Sequence, residues 1–106
     1  MSHLTIAVVT TSRADWGHVE PVLRQMIHCG GIETQLIVGG AHLEDQFGRT
    51  IDCIQKAGYE VAAQVPFLSD DDSDLAMGEA IGHATVGFAQ VLAQLRPGIL
   101  LLIADR

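Results

Sequence analysis

Hydrophobic residues along this chain change period in a regular order. Residues 4–9 form a continuous, β-branched run, and after Thr10-Thr11-Ser12 the spacing becomes helical at Val19, Val22, Leu23, Met26 and Ile27. This predicts a strand, a loop and an amphipathic helix, with Pro21 placed in the helix's first turn and Gly30-Gly31 closing it. Residues 34–38 are again apolar, bounded by Gly39-Gly40, and Phe47, Ile51, Ile54 and Ala57 then give a second helix before Gly58. Residues 61–67 are Ala-rich with Pro66 near the end, which suits a short third strand near a sheet edge. Met77, Ile81, Ala84, Phe88, Leu92 and Leu95 make the cleanest helical stripe, stopped by Arg96-Pro97-Gly98. Residues 99–103 are a fully apolar fourth strand.

Strand and helix alternate three times, which selects right-handed parallel βαβ units in an α/β, Rossmann-like, doubly wound sheet. The predicted spatial order is 3-2-1-4, with the first and fourth strands as neighbours and a ligand crevice at their carboxyl ends. One domain is expected over residues 1–106, ordered β1-α1-β2-α2-β3-α3-β4.

Composition narrows the partners. Hydrophobic residues make up 48% of the 106, whereas aromatics are 5%, leaving a core of Ile, Leu, Val and Ala. Six basic against thirteen acidic residues give a net charge of −7 with no basic stripe, so neither nucleic acid nor an anionic membrane surface is an expected partner. No signal peptide or membrane-spanning run is read, and Cys29 and Cys53 lack metal-ligand spacing. They are expected as reduced core or near-core thiols of a cytoplasmic protein.

Three of the six basic residues, Arg13, Arg49 and Arg106, fall on loops at one predicted end of the sheet, where Arg13 and Asp105 could share a crevice. An acidic chain that binds an anion must concentrate its few cations, and this cluster is compatible with a nucleotide sugar. Taken singly, Arg13 and Arg49 are expected to pair with Asp15, Glu44 or Asp45 on the surface. No glycine precedes Gly17, so the G-x-G-x-x-G dinucleotide turn is missing, and Lys56 is misplaced for a P-loop. No cofactor is expected. Asp70, Asp72 and Asp74 mimic the start of a calcium loop, but Leu75 and Ile81 occupy its glycine and glutamate positions, so no metal is expected either. Of five histidines, His18 and His42 are at the right end of the sheet, while His3, His28 and His83 read as surface or core-edge residues.

The stretch Thr10-Thr11-Ser12-Arg13-Ala14-Asp15-Trp16-Gly17 resembles the T-G-S-R-A-[ED]-[YW]-G opening of the hydrolysing UDP-N-acetylglucosamine 2-epimerases, enzymes of sialic and legionaminic acid biosynthesis. Gly40-Ala41-His42 through Phe47-Gly48-Arg49-Thr50 is similar to that family's G-x-H loop with its downstream G-x-T, and Ala104-Asp105-Arg106 to the start of its G-D-R-Y-E motif. Thr11 and Ala104 stand where the family has glycine.

The resemblance implies a GT-B type enzyme of two Rossmann-like domains, of which this chain would be part of the first, with the C-terminal domain absent. It implies elimination of UDP to a glycal followed by addition of water, with Asp105 as the catalytic or sugar-orienting residue and Arg13, His42 and Arg106 as substrate contacts. The implied partner is UDP-N-acetylglucosamine or a 2,4-diacetamido analogue. Homo-oligomers are expected, and the 106 residues by themselves are expected to be inactive. A non-hydrolysing 2-epimerase and a stand-alone, non-catalytic α/β binding module are the alternatives.

Overall fold

A computed structural model describes residues 4–45, 48–68 and 73–102. Its strands are β1 (Leu4–Thr10), β2 (Ile32–Gly39), β3 (Val61–Val65) and β4 (Ile99–Leu101), and its helices α1 (Arg13–Ile27), α2 (Ile51–Lys56) and α3 (Asp74–Leu95). A 3-10 turn, Gly40–Leu43, follows β2 directly. All pairings are parallel and the order is β3-β2-β1-β4, as the alternating pattern predicts.

The two faces of the sheet separate by residue parity. Ile6 and Val8 of β1 and Leu36 and Val38 of β2 form one core with Val19 and Leu23 of α1 and Ile51 and Ile54 of α2. The alternate residues Ala7 and Ile37, with Val65, meet Phe88, Val91, Leu92 and Leu95 of α3 on the other face. This period-two division between helices is what makes the sheet doubly wound, and the central strands read as apolar runs at 6–9 and 36–38, where both faces are covered.

Caps fix where two helices begin. Ser12 is extended at φ −153° and its Oγ accepts the Asp15 N–H at 3.2 Å, so α1 starts at Arg13. Residues 13–17, read from sequence as part of a loop, are therefore the first turn and more of a helix. Pro21 falls inside α1 instead of in its first turn. It removes one amide donor, and the residue four before it, Gly17, has open space where a side chain would be. Ser73 caps α3 in the same manner through the Ala76 N–H, and Arg96 ends α3 in the left-handed region at φ 50°.

Helix α3 departs from the sequence expectation in one respect. None of its residues is buried: Met77 and Ile81, although on the apolar stripe, are 62% and 69% exposed. The Gln35 Nε2 donates to the Leu95 carbonyl at 3.2 Å, which sets the C-terminal end of α3 level with the middle of β2. Gly87 then meets Val65, the last residue of β3. The thirteen helical residues before Gly87 continue past the strand ends for about 20 Å at 1.5 Å per residue. Periodicity reveals an apolar stripe, but it does not say how much sheet lies beneath it.

Candidate functional site

The carboxyl ends of β1 and β2 are tied together before any ligand is considered. Gly40 has φ 59°, and a β-carbon there would lie 2.8 Å from Cζ of Phe67 and 3.0 Å from the Thr11 carbonyl. Only glycine permits that approach, and it lets the Ala41 N–H donate to the Thr11 carbonyl at 2.9 Å. The turn this creates carries His42 in beneath the end of β1.

His42 is 0% exposed, as is Thr10. The His42 Nε2 lies 2.9 Å from the Thr10 Oγ1, and its Nδ1 lies 2.6 Å from the Oγ1 of Thr50, the cap residue of α2. The Thr10 hydroxyl in turn points to the Ser12 carbonyl at 3.4 Å. Every hydrogen is used when Thr50 donates to Nδ1, the Nε2–H donates to Thr10, and Thr10 donates to Ser12, which assigns a neutral ring protonated at Nε2. Burial pushes the imidazole below its ordinary 6.5, outweighing the upward pull of the Asp15 carboxylate and the Ser12 backbone.

Asp15, expected on the surface as a counter-ion for arginine, is buried at 9% exposure. Its Oδ2 accepts from the Thr11 hydroxyl at 2.8 Å and from the Thr11 N–H at 3.4 Å. A carboxylate in the first turn of α1 also meets the positive end of the helix dipole. Thr11 and Asp15 supply the polar wall of a mostly apolar pocket of about 300 Å³ between α3 and the carboxyl ends of β1 and β4, where Val9, Phe88, Leu92, Leu100 and Leu102 are the apolar lining. The pocket occupies the predicted switch point.

Arg13 is exposed at the start of α1, on the crevice end. Arg49 adopts φ 45°, a strained conformation for a residue with a side chain. Its Nε lies 3.5 Å from Asp52 Oδ1 and its Nη1 donates to the Leu43 carbonyl at 3.4 Å, so its carboxylate partner is Asp52 and not one of the three acids considered from sequence. The structure thus brings Arg13, His42 and Arg49 to one end of the sheet. His18 is exposed on α1, as are His28 and His83 elsewhere. Asp105 and Arg106 lie outside the described residues, as do Ala104, Phe47, His3, Asp70 and Asp72. Cys29 and Cys53 are both free and exposed, contrary to the core placement expected for them.

Among the described residues, no group of three His, Cys, Asp or Glu side chains is placed to hold a metal ion. No helix among them is long and apolar enough to cross a membrane. Thr10, Asp15 and Thr50 are the site residues that sequence reasoning missed. The Ser12-x-x-Asp15 capping pattern marks one of them, whereas the His42 bridge spans 32 residues and leaves no local trace.

Known proteins resemble the chain in sequence and in fold. The UDP-N,N'-diacetylbacillosamine 2-epimerase (hydrolyzing) of Legionella pneumophila is 31% identical over 101 residues, covering 95% of the chain and 27% of that protein. The GDP/UDP-N,N'-diacetylbacillosamine 2-epimerase (hydrolyzing) of Campylobacter jejuni is 26% identical over 106 residues, covering 100% of the chain and 27% of the relative. The UDP-N-acetylglucosamine 2-epimerase of Neisseria meningitidis is 25% identical over 101 residues, covering 95% of the chain and 26% of the relative. A crystal structure of a UDP-N-acetylglucosamine 2-epimerase superposes on 99% of the chain and 28% of its own length, with a TM-score of 0.77 at 14% identity, a likeness of fold. No protein-family model matches. The chain spans about a quarter of the length of the curated relatives it matches. The resemblance carried by the three motifs therefore extends to curated hydrolysing 2-epimerases across nearly all of its residues.

Proposed function

We propose that the chain is part of a hydrolysing nucleotide-sugar 2-epimerase that converts UDP-N-acetylglucosamine, or a 2,4-diacetamido analogue, to the free 2-epimeric sugar and UDP. The observation that carries this reading is 31% identity to a hydrolysing 2-epimerase over 95% of the chain. The motif residues lying at the carboxyl ends of parallel strands support it, because open α/β sheets bind ligands there.

In the first step a base removes the proton on C2 while the C1–O bond to UDP breaks, and the electron pair released at C2 becomes the C1=C2 bond of a glycal. In the second, water delivers hydroxyl to C1 and C2 takes a proton on its opposite face. Both steps need a group that moves protons beside C2. Asp105 is the proposed group, or else the one that orients the sugar, with Arg13, Arg106 and the His42 turn on the substrate side. Arginine suits the diphosphate because its planar fork matches two oxygens at once. The wider reading is a GT-B enzyme with a second Rossmann-like domain, cytoplasmic and homo-oligomeric, serving sialic or legionaminic acid biosynthesis.

A second reading, epimerisation without hydrolysis, is favoured by the similarity to a protein named simply UDP-N-acetylglucosamine 2-epimerase. One experiment separates the two. The full-length gene product is incubated in D2O with UDP-N-acetylglucosamine and with UDP-N,N'-diacetylbacillosamine, and products are followed by NMR. Free UDP and a free 2-epimer carrying deuterium at C2 are expected. A 2-epimer still joined to UDP would favour the second reading, and the absence of both binding and turnover would remove the proposal.

A further inference from the structure

The buried ring of His42 has no surface to offer a ligand, since the residue is 0% exposed and both nitrogens are occupied by threonine hydroxyls. We propose that His42 is a positioning residue whose neutral imidazole, bridging Thr10 and Thr50, fixes the spacing of two arginine-bearing segments at the crevice. This rests on the nucleotide-sugar reading given above, and replaces direct contact by His42 with support from behind.

Three segments converge on the ring. Thr10 ends β1, and three residues on, Arg13 opens α1. His42 belongs to the turn after β2, which the Ala41–Thr11 backbone bond already fastens to the end of β1. Thr50 caps α2 and adjoins Arg49, whose left-handed backbone is held by its N–H donating to the Glu44 carbonyl at 3.0 Å. Removing the ring would leave the Arg13 segment and the Arg49 segment without their shared side-chain link.

The chemistry also explains why histidine serves. A neutral imidazole presents one donor and one acceptor on separate edges of a rigid ring, so it spans two hydroxyls from opposite sides. An amide side chain carries both functions at one tip. An imidazolium would present two donors, and Thr50 would then have to reverse its hydrogen bond.

The test uses the full-length gene product, with UDP and UDP-N-acetylglucosamine as probes. Thr50→Val removes one partner and leaves the ring, and it is expected to raise KM about tenfold, the scale of one buried hydrogen bond, with kcat changed less than threefold. Thr50→Ser should restore KM. In ¹⁵N NMR at neutral pH the His42 ring should be a single Nε2–H tautomer in the wild type and in Thr50→Ser, and a tautomer mixture in Thr50→Val. A wild-type ring that is already a mixture, or a Thr50→Val protein with unchanged KM and an intact melting temperature, would overturn the proposal. If the wild type neither binds nor turns over these probes, the functional reading falls, and the tautomer measurement alone decides whether the bridge exists.

Discussion

Gly87 lies so close to Val65 that a β-carbon on it would be 2.6 Å from the valine Cγ1. This is the point where α3 leaves the sheet, and the absent side chain sets how closely the two meet. Gly87→Ala is expected to lower stability by about 1 to 3 kcal/mol through overpacking. Gly82→Ala, in the same helix with open space around it, should instead stabilise by about 1 kcal/mol. Denaturant midpoints of the two variants check this. Equal midpoints would mean that the contact with Val65 sets nothing.

Gly40, which opens the turn after β2, is under two constraints at once. Gly40→Ala meets both the positive φ and the close approach of Phe67 and Thr11, for a combined cost of about 2 to 4 kcal/mol. Gly48→Ala shares only the positive φ, at 82° with nothing near, and should cost about 1 to 2 kcal/mol. Chemical denaturation of both variants separates the steric part from the backbone part. A Gly48→Ala cost equal to that of Gly40→Ala would show that the approach of Phe67 contributes nothing.

Stability should depend on acid through His42. Its folded-state affinity for a proton is lowered, so the unfolded chain binds more protons as the pH falls below the ordinary 6.5. The neutral ring's contribution is therefore complete above that value and lost as pH drops through the folded value. The Asp15 carboxylate pulls the other way but is the smaller effect. Melting temperatures from pH 7.5 down to 5 should fall, and His42→Asn should flatten the part of that fall due to the ring. An identical slope in the variant would assign the acid sensitivity elsewhere.

The fold was legible because it is written in periods. Apolar runs at 6–9 in β1 and 36–38 in β2, glycines after α1 and α2, and Arg96-Pro97 after α3 mark elements through local chemistry, and alternation then leaves few sheet orders. What stayed hidden depends on distances between segments remote in sequence. Nothing near His42 announces that Thr10, 32 residues earlier, will meet its ring, and nothing near Met77 shows that the helix there has run past the last strand. Pro21 misled for a related reason. Its preference for a first turn is statistical, while Ser12 supplies the actual cap nine residues earlier.

The apolar outer half of α3 predicts association of the 106-residue chain in solution. Met77 and Ile81 are 62% and 69% exposed and lie four residues apart on one face of the helix, where they act as one patch. Sedimentation velocity should show mass rising with concentration, and Met77→Lys with Ile81→Lys should suppress it while shifting stability by no more than about 0.5 kcal/mol each, as for ordinary surface changes. A monodisperse monomer at all concentrations would count against the patch.

In the full-length gene product, Asp105→Asn should reduce kcat at least about a hundredfold, within the range for loss of an acid/base group. Binding of UDP-N-acetylglucosamine should change only a few-fold, since the amide keeps the shape of the carboxylate. Single-turnover kinetics and calorimetry read the two quantities separately. Undiminished turnover would take Asp105 out of the chemistry.

The departure of α3 from the sheet at Gly87 divides one helix between two cooperative units. Amides toward Leu95 are protected by Ala7, Ile37 and Val65, and their hydrogen bonds open only with the sheet. Those toward Asp74 have, among the described residues, only the Ser73 cap and the apolar side chains of Phe67 and Leu68 beside them, with Gly78 and Gly82 weakening the helix, and open by local fraying. The crevice end of the molecule therefore borders a segment that can unwind and re-form while the sheet beside it stays intact.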